Sequence, residues 1–255
     1  MSHSSAYSND VARSVPPLRA ALLILMALAL ASALPAPPAA AKVLDFGAAL
    51  QSLPAGKAVS RISIDGRGSV RVLPRNDGGG PDLCIVFDSA DPTGGDNDLG
   101  TPNEEFGGPG EGEGGEPGSA GPNDLALGKL LILAESDCDA NHDGLVDEPD
   151  DESGGGVITL SFSHAGRVSF TLVDVDCDEE APRFLLYHDD DLVDVVEGTS
   201  PGDNSAQQVD LTSYGDLDKV KIALDGSAGI GALRLEVLQV GIEPSTWSAV
   251  KGMFR

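Results

Sequence analysis

The sequence predicts an all-β protein, an antiparallel β-sandwich of jelly-roll type. Short apolar segments recur at the length of strands, and the segments between them are rich in Gly, Asp and Pro, as sandwich turns are. Helical periodicity does not extend over any long stretch. The 255 residues include 32 glycines and only 4% aromatic residues, which fits many tight turns more than a large aromatic core. We expect one β domain over residues 42–242.

The predicted strands can be placed in order along the chain. They are residues 43–46, 59–64, 70–73, 83–87, 129–134, 157–163, 168–176, 184–187, 192–196, 209–211, 220–224 and 232–240. The continuous apolar run 83–87 predicts a strand buried on both faces. A turn is expected at 65–68, and a hairpin around 164–167. Two long acidic loops, 88–122 and 135–156, separate the strands, and the low-complexity composition of 107–121 favours mobility.

The first 41 residues have the pattern of a secretory signal peptide. Arg13 and Arg19 precede the apolar run 20–33, and small residues follow as far as Ala41, where we expect cleavage. The alternative is an uncleaved membrane anchor, but the run is shorter than the roughly 20 residues of a spanning helix. The sequence therefore predicts an N-terminal signal helix and a mature chain that has no membrane span. Residues 243–255 form a separate tail, which either docks on the domain or serves in sorting.

The charge of the chain is strongly negative, with 16 basic and 41 acidic residues and a formal net charge of −25. Such a charge repels nucleic acid and anionic membrane surfaces. It also repels itself, so bound cations would ease folding. A salty habitat or simple solubility would explain the acidity equally well.

The segment 139–150 has the spacing of an EF-hand or dockerin-like calcium loop. Gly144 stands at loop position 6 and the apolar Val146 at position 8. The expected ligands are the side chains of Asp139, Asn141, Asp143, Asp147 and Asp150, with the backbone carbonyl of Leu145. Position 12 is Asp150 in place of the usual Glu, and its shorter side chain implies weaker binding. The alternative is a solvated acidic loop.

A second cation site is predicted from two acidic segments. Four aspartates lie in the bent loop after residue 87, and two more extend the inward face of strand 168–176 beyond Leu172. They are Asp88, Asp91, Asp96, Asp98, Asp174 and Asp176. Like charges that leave a core face are costly unless they are paired or metal-bound. The alternatives are local turn hydrogen bonds in the loop and a strand that has already left the core.

The chain has three cysteines, and a secreted protein can form one disulfide from them. Cys84 lies in the apolar run and is expected to be buried. The two others border acidic segments, and we expect the pair Cys138–Cys177, although the sequence leaves the connectivity open.

Catalytic motifs are weak, and the sequence predicts that the protein is not an enzyme. Residues 110–115 match G-x-G-x-x-G formally, but they follow no strand and their glutamates would repel a pyrophosphate. The sequence has no H-E-x-x-H motif and no G-x-S-x-G nucleophile elbow. A pair of carboxylates for glycoside hydrolysis stays open as an alternative, because the chain has so many acidic residues that the sequence does not single out a catalytic pair.

Several segments together resemble a family, the uncharacterised secreted β-sandwich domains of bacterial exported proteins, whose members often carry sorting or surface-anchor tails. The resemblance rests on residues 43–46, 53–56, 85–103, 106–110, 147–156, 172–176 and 226–230. It implies a jelly-roll-like extracellular domain stabilised by calcium, without enzymatic activity. The chain has neither a Pro-Glu-Pro tail with a transmembrane helix nor a Leu-Pro-x-Thr-Gly motif, so free secretion is as consistent as surface association.

The sequence thus favours a secreted, non-catalytic, calcium-binding β-sandwich with a structural, adhesive or surface-associated role. Its expected partners are calcium and an extracellular glycan or a cell-surface protein. The alternative is a carbohydrate-binding module, and a secreted glycoside hydrolase is less favoured. Aromatic platforms for a glycan are few, with candidates Phe106, Tyr187, Tyr214 and Trp247.

Overall fold

The computed structural model describes residues 41–64 and 66–238. Residues 1–40 of the predicted signal peptide, residues 239–242 of the predicted domain, the whole predicted tail 243–255 and Asp65 of the predicted turn lie outside the described residues. The elements are β1 (Ala41–Asp45), α1 (Phe46–Leu50), β2 (Arg61–Ile64), β3 (Gly68–Asn76), β4 (Cys84–Asp88), β5 (Lys129–Leu133), β6 (Gly156–Val175), β7 (Arg183–His188), β8 (Asp191–Glu197), β9 (Gly202–Asp210), β10 (Leu217–Leu224) and β11 (Gly229–Leu238). Short 3₁₀ turns occupy Asn97–Leu99, Glu104–Phe106, Glu113–Gly115 and Thr212–Tyr214. None of the helices described in 41–64 and 66–238 is long and apolar enough to cross a membrane.

The strands form two sheets that share β6. Sheet A has the order β4-β5-β11-β6-β9, and β1 pairs with the end of β11 that β5 leaves free. Sheet B has the order β2-β3-β6-β10-β7-β8. All of these ladders are antiparallel. The predicted all-β antiparallel sandwich is confirmed.

The hairpin predicted around residues 164–167 is wrong, because β6 is one strand of 20 residues. Its first half pairs with β3 and β10 in sheet B, and its second half pairs with β9 and β11 in sheet A. Gly166 lies between the two halves, where an added Cβ would come within 2.7 Å of the carbonyl oxygen of Glu236. A glycine therefore lets the strand pass closely from one sheet to the other.

The main core lies between the two sheets. Alternate residues of β6 are buried on both sides of the crossing, among them Leu160, Phe170 and Leu172. Phe170 meets Phe184 of β7 edge-on, with ring centroids 5.5 Å apart, a favoured aromatic geometry. A second cluster of buried side chains lies around β4 and β5, and Leu99 and Val146 of the long loops belong to it. These loops therefore cover a strand pair that is buried on both faces, as predicted for 83–87.

Two local predictions need correction. The first strand ends at Asp45, whose carboxylate accepts a hydrogen bond from the amide of Ala48 at 2.8 Å and caps α1. Phe46 therefore belongs to a helix and not to a strand. Strand β9 begins at Gly202, seven residues before the predicted start, in a segment too polar to show a strand pattern.

The glycine-rich loop 88–122 packs closely against the sandwich. The 3₁₀ turn Glu113–Gly115 lies against β9, and a Cβ on Gly114 would come within 2.4 Å of the backbone of Gly202. A Cβ on Gly110 would come within 2.2 Å of the carbonyl oxygen of Gly100. The low-complexity composition, which favoured mobility, is instead required by the close approach of backbone segments.

Candidate metal centre

Six aspartates gather in two groups where the long loops meet the ends of β6 and β9. The first group is Asp96, Asp150 and Asp151, and the second is Asp98, Asp174 and Asp203. In each group, one carboxylate oxygen from each residue lies within 4.8 Å of the others. Two oxygens bound to one calcium ion are at most about 5 Å apart, twice the Ca–O distance. Each group therefore has the spacing of a shared cation site.

The first group is held by backbone pairing at the end of β5. Asp151 forms an isolated antiparallel bridge with Ala134. Its amide donates a hydrogen bond to a carboxylate oxygen of Asp96 at 2.9 Å, and its own carboxylate accepts one from the amide of Ala228 at 2.6 Å. Asp151 is only 5% exposed. The loop 135–156 thus places the carboxylate of Asp151 in the interior, beside the loop that carries Asp96.

The second group is placed by an irregularity at the end of β6. The register of β6 against β9 shifts between Val173 and Val175, and Asp174 has a φ of 61°, in the left-handed region. Its carboxylate accepts a hydrogen bond from the amide of Asn204 at 2.7 Å, and the side chain is 2% exposed. Asp203 is the neighbouring residue on β9. The bulge therefore turns Asp174 toward the loop that carries Asp98.

A buried asparagine ties this loop to β9. The amide nitrogen of the Asn204 side chain donates to the carbonyls of Asp98 and Gly100, the latter at 2.8 Å. Its side-chain oxygen accepts hydrogen bonds from Asn103 at 2.8 Å and from Asn123 at 3.2 Å. All three asparagines are at most 1% exposed. Sequence reasoning missed them, because single asparagines in a polar loop look like ordinary turn residues.

The electrostatics of both groups oppose the ionised form. Burial, followed by the charge of Asp151, raises the pKa of Asp96 to about 9. Burial and the charge of Asp98 raise the pKa of Asp174 to about 9, and burial raises that of Asp151 to about 7. Desolvation and like charges both disfavour a carboxylate. No ion pair found among residues 41–64 and 66–238 includes a member of either group.

The structure brings together some of the residues predicted for the second cation site and separates others. Asp98 and Asp174 share one group, and Asp96 belongs to the other. Asp88 instead forms an ion pair with Lys129, and Asp91 is exposed. Asp176 lies in neither group, but its charge contributes to the raised pKa values of Asp98 and Asp174. Asp151 and Asp203 were not predicted.

The loop 139–150 is folded around its own backbone amides. Asp139 accepts hydrogen bonds from the amides of Asp143 and Gly144 at 3.1 and 3.0 Å, and Asn141 accepts one from Asp143 at 2.8 Å. Asp147 accepts one from Ala140 at 2.7 Å.

The apolar position of the loop, Val146, is buried, and its backbone amide donates a hydrogen bond to the carbonyl of Gly56 at 2.9 Å. Asp150, the expected twelfth ligand, lies with Asp96 and Asp151. Calcium binding by this loop stays a prediction.

The expected disulfide is not formed in the structure. Cys138 and Cys177 are both free and exposed, and Cys84 is free and buried. Burial raises the pKa of the Cys84 thiol, as expected for a small apolar core residue.

Comparison with known proteins assigns no family to the chain. No protein-family model matches the chain, and no curated protein matches it. Among solved structures, a family 29 carbohydrate-binding module is similar over 38% of this chain and 74% of its own length, with 11% sequence identity and a TM-score of 0.23. Similarity at this level assigns neither a family nor a function.

Proposed function

We propose that the protein is a secreted, non-catalytic β-sandwich module whose acidic end binds calcium. The observation that carries this proposal is the burial of Asp151 and Asp174, which expose 5% and 2% of their surface, each beside two further carboxylates. A buried carboxylate must be neutralised by a proton, a basic partner or a metal ion. In the described part of the chain, no ion pair supplies the basic partner.

The donor set favours calcium over other ions. All six side chains offer oxygen, which hard cations prefer to nitrogen or sulfur. Calcium takes roughly six to eight oxygens in flexible geometry, whereas magnesium demands a near-ideal octahedron and keeps several waters. Six carboxylates from two separate loops and two strands fit the flexible requirement. The predicted loop 139–150 would add a further site for the same ion.

Calcium bound here would have a structural role. One group joins loop 88–122 to loop 135–156, and the other joins loop 88–122 to β6 and β9. Extracellular modules bind calcium with dissociation constants of up to about a millimolar, so the loops would be linked by calcium outside the cell. A catalytic carboxylate has to meet its substrate, and the burial of Asp151 and Asp174 therefore supports a non-catalytic role. A structural or adhesive module is the function that we infer.

We expect calcium titrations of metal-free protein to separate the loop from the buried groups. Asp98→Asn should remove binding at its group, and Asp143→Ala should remove binding at the loop, so each variant should lose about one calcium ion per chain. Asp91→Asn is the matched control, because Asp91 lies in the same loop as Asp98 but in neither group. Isothermal titration calorimetry gives the stoichiometry. Full stoichiometry in Asp98→Asn would contradict the proposal for the buried groups, and full stoichiometry in Asp143→Ala would contradict it for the loop.

A further inference from the structure

The outer face of sheet B carries a groove with a charge opposite to that of the protein. It has a volume of about 570 Å³ and is lined by residues of β3, β6, β7, β8 and β10. Three lining residues are basic, Arg75, Arg183 and Lys221, and none is acidic. In a chain of net charge −25, such a concentration of positive charge requires an explanation. The groove shares no residue with the two carboxylate groups.

The strand register sets these cations in adjacent rows across the sheet. One row runs Arg75, Val157, Ala223, Arg183 and, at the edge, Glu197, and the next runs Leu73, Thr159, Lys221, Leu185 and Val195. A third row places Arg71, Ser161, Lys219 and Tyr187 side by side. Neighbouring strands are about 4.8 Å apart and alternate residues about 6.8 Å apart along a strand. The positive charges therefore extend over three rows and suit an extended ligand more than a single small anion.

Apolar and aromatic surface accompanies the charges. Leu73 is 40% and Val195 45% exposed, and both lie in the same row as Lys221, the second of the three rows. The ring of Tyr187 has the ammonium groups of Lys219 and Lys221 at 5.0 and 5.2 Å from its centroid, a cation–π arrangement. Sugar rings present apolar C–H faces, which pack on such side chains, and hydroxyl groups, which bond to polar ones such as Thr159.

The other aromatic candidates are placed less favourably for a glycan. Phe106 is exposed on the loop 88–122, and Tyr214 packs against the core. Trp247 lies outside the described residues. Of the candidates within the described residues, only Tyr187 has basic side chains over its ring, and it lies beside the groove.

We propose that this face binds an anionic polysaccharide, with uronate carboxylates on the basic side chains and sugar rings on the apolar ones. A neutral partner would cover Arg183 and Lys221 without pairing their charges, which is costly. The volume of the groove falls within the range of about 300–1,000 Å³ that is typical of ligand sites. Arg75 and Lys219 form ion pairs with Asp77 and Asp190, and Glu197 lies beside Arg183 in the strand register. These three acids are exposed at the rim, where such pairs are weak, and Lys221 has no ion pair among the described residues.

The proposal names a partner for an adhesive role, but it does not depend on calcium binding. The test is calorimetric titration of the purified protein with short oligogalacturonides and with their methyl esters, at pH 7, both in EDTA and in calcium. We expect the charged oligomers to bind at least tenfold more tightly than the esters, and more weakly as salt rises. Arg183→Gln combined with Lys221→Gln should weaken binding at least tenfold. Lys57→Gln combined with Arg67→Gln removes the same charge from exposed positions outside the groove and should change affinity less than twofold.

Several results would overturn the proposal. Equal affinity for the esters would show that charge is not recognised, and the absence of binding would remove the ligand class. Binding that requires calcium and survives the groove substitutions would assign the oligomer to calcium bridging at the carboxylates. If the groove substitutions instead abolished self-association in sedimentation, the occupant would be a second copy of this acidic chain.

Discussion

Without calcium, the protein is expected to lose stability as the pH rises from about 4 to about 9. The pKa of Asp174 in the folded protein is about 9 and its ordinary value is 3.8, so the folded state holds a proton that the unfolded state releases. Stability falls with pH wherever the folded state binds more protons. At pH 7 the cost for Asp174 alone is on the order of 4 kcal/mol. Asp96 and Asp151, with pKa values of about 9 and 7, act in the same direction.

Asp174→Asn tests the origin of this effect. Asparagine keeps the shape, can accept the hydrogen bond from the amide of Asn204, and tolerates the positive φ at this position. In EDTA at pH 7 the variant should be more stable than the parent by a few kcal/mol and less sensitive to pH. In calcium it should gain less stability than the parent.

Chemical unfolding of the parent and the variant at pH 5, 7 and 9, with and without calcium, measures both effects: the higher stability of the variant in EDTA and its smaller gain in calcium. An aspartate with a purely structural role would make the variant less stable in both conditions, and that outcome would contradict the account. A metal-free parent whose stability stays level or rises from pH 5 to pH 9 would contradict it as well.

Asn204→Ala is expected to cost about 3 kcal/mol or more, because the fully buried side chain has four hydrogen bonds to the segment between β4 and β5. Each buried polar group left without a partner costs about 1–3 kcal/mol. For a domain of this size, the melting temperature should fall by roughly 6–12 °C. Calcium affinity should fall too, since the Asn204 side chain holds the backbone carbonyl of Asp98 in place.

Two further variants isolate the hydrogen bonds. Asn204 has a φ of 57°, so Asn204→Gly removes the side chain without imposing the strain that alanine brings at this angle. Gln208→Ala changes an exposed residue of the same strand and should be nearly neutral. Thermal unfolding in calcium compares the three. A loss below about 1 kcal/mol in Asn204→Gly would show that the network does not hold the loop.

Local patterns in the sequence predicted the strands well where a strand is apolar, and poorly where its environment is polar. The runs 83–87 and 129–134 correspond to β4 and β5 within one residue at each end. The hairpin at 164–167 was wrong because Gly and His suggested a turn. The inward residues of β6 keep the same even-numbered phase from Ile158 through Leu172, however, with the exposed His164 as the one exception, and this shared phase is the signal of one continuous strand.

The metal centre was only partly predictable for a physical reason. Asp98 and Asp174 could be associated because each follows or interrupts an apolar strand, and the structure places them together. Asp203 lies in a strand segment with almost no apolar residues, so neither its strand nor its position showed in the pattern. Asp151 follows the loop that seemed complete at Asp150. Their convergence depends on a bulge in β6 and a bridge to β5, which are long-range features.

The central claim is that calcium neutralises the buried carboxylates and joins the loops to the sandwich. Thermal unfolding of the metal-stripped protein in EDTA, in millimolar calcium and in millimolar magnesium tests it most directly. A hundredfold excess of calcium over its Kd should add about 2.7 kcal/mol, which is roughly 5–10 °C in melting temperature for a domain of this size. We predict that shift with calcium and little or none with magnesium. An unchanged melting temperature, or an equal shift with both ions, would contradict the account.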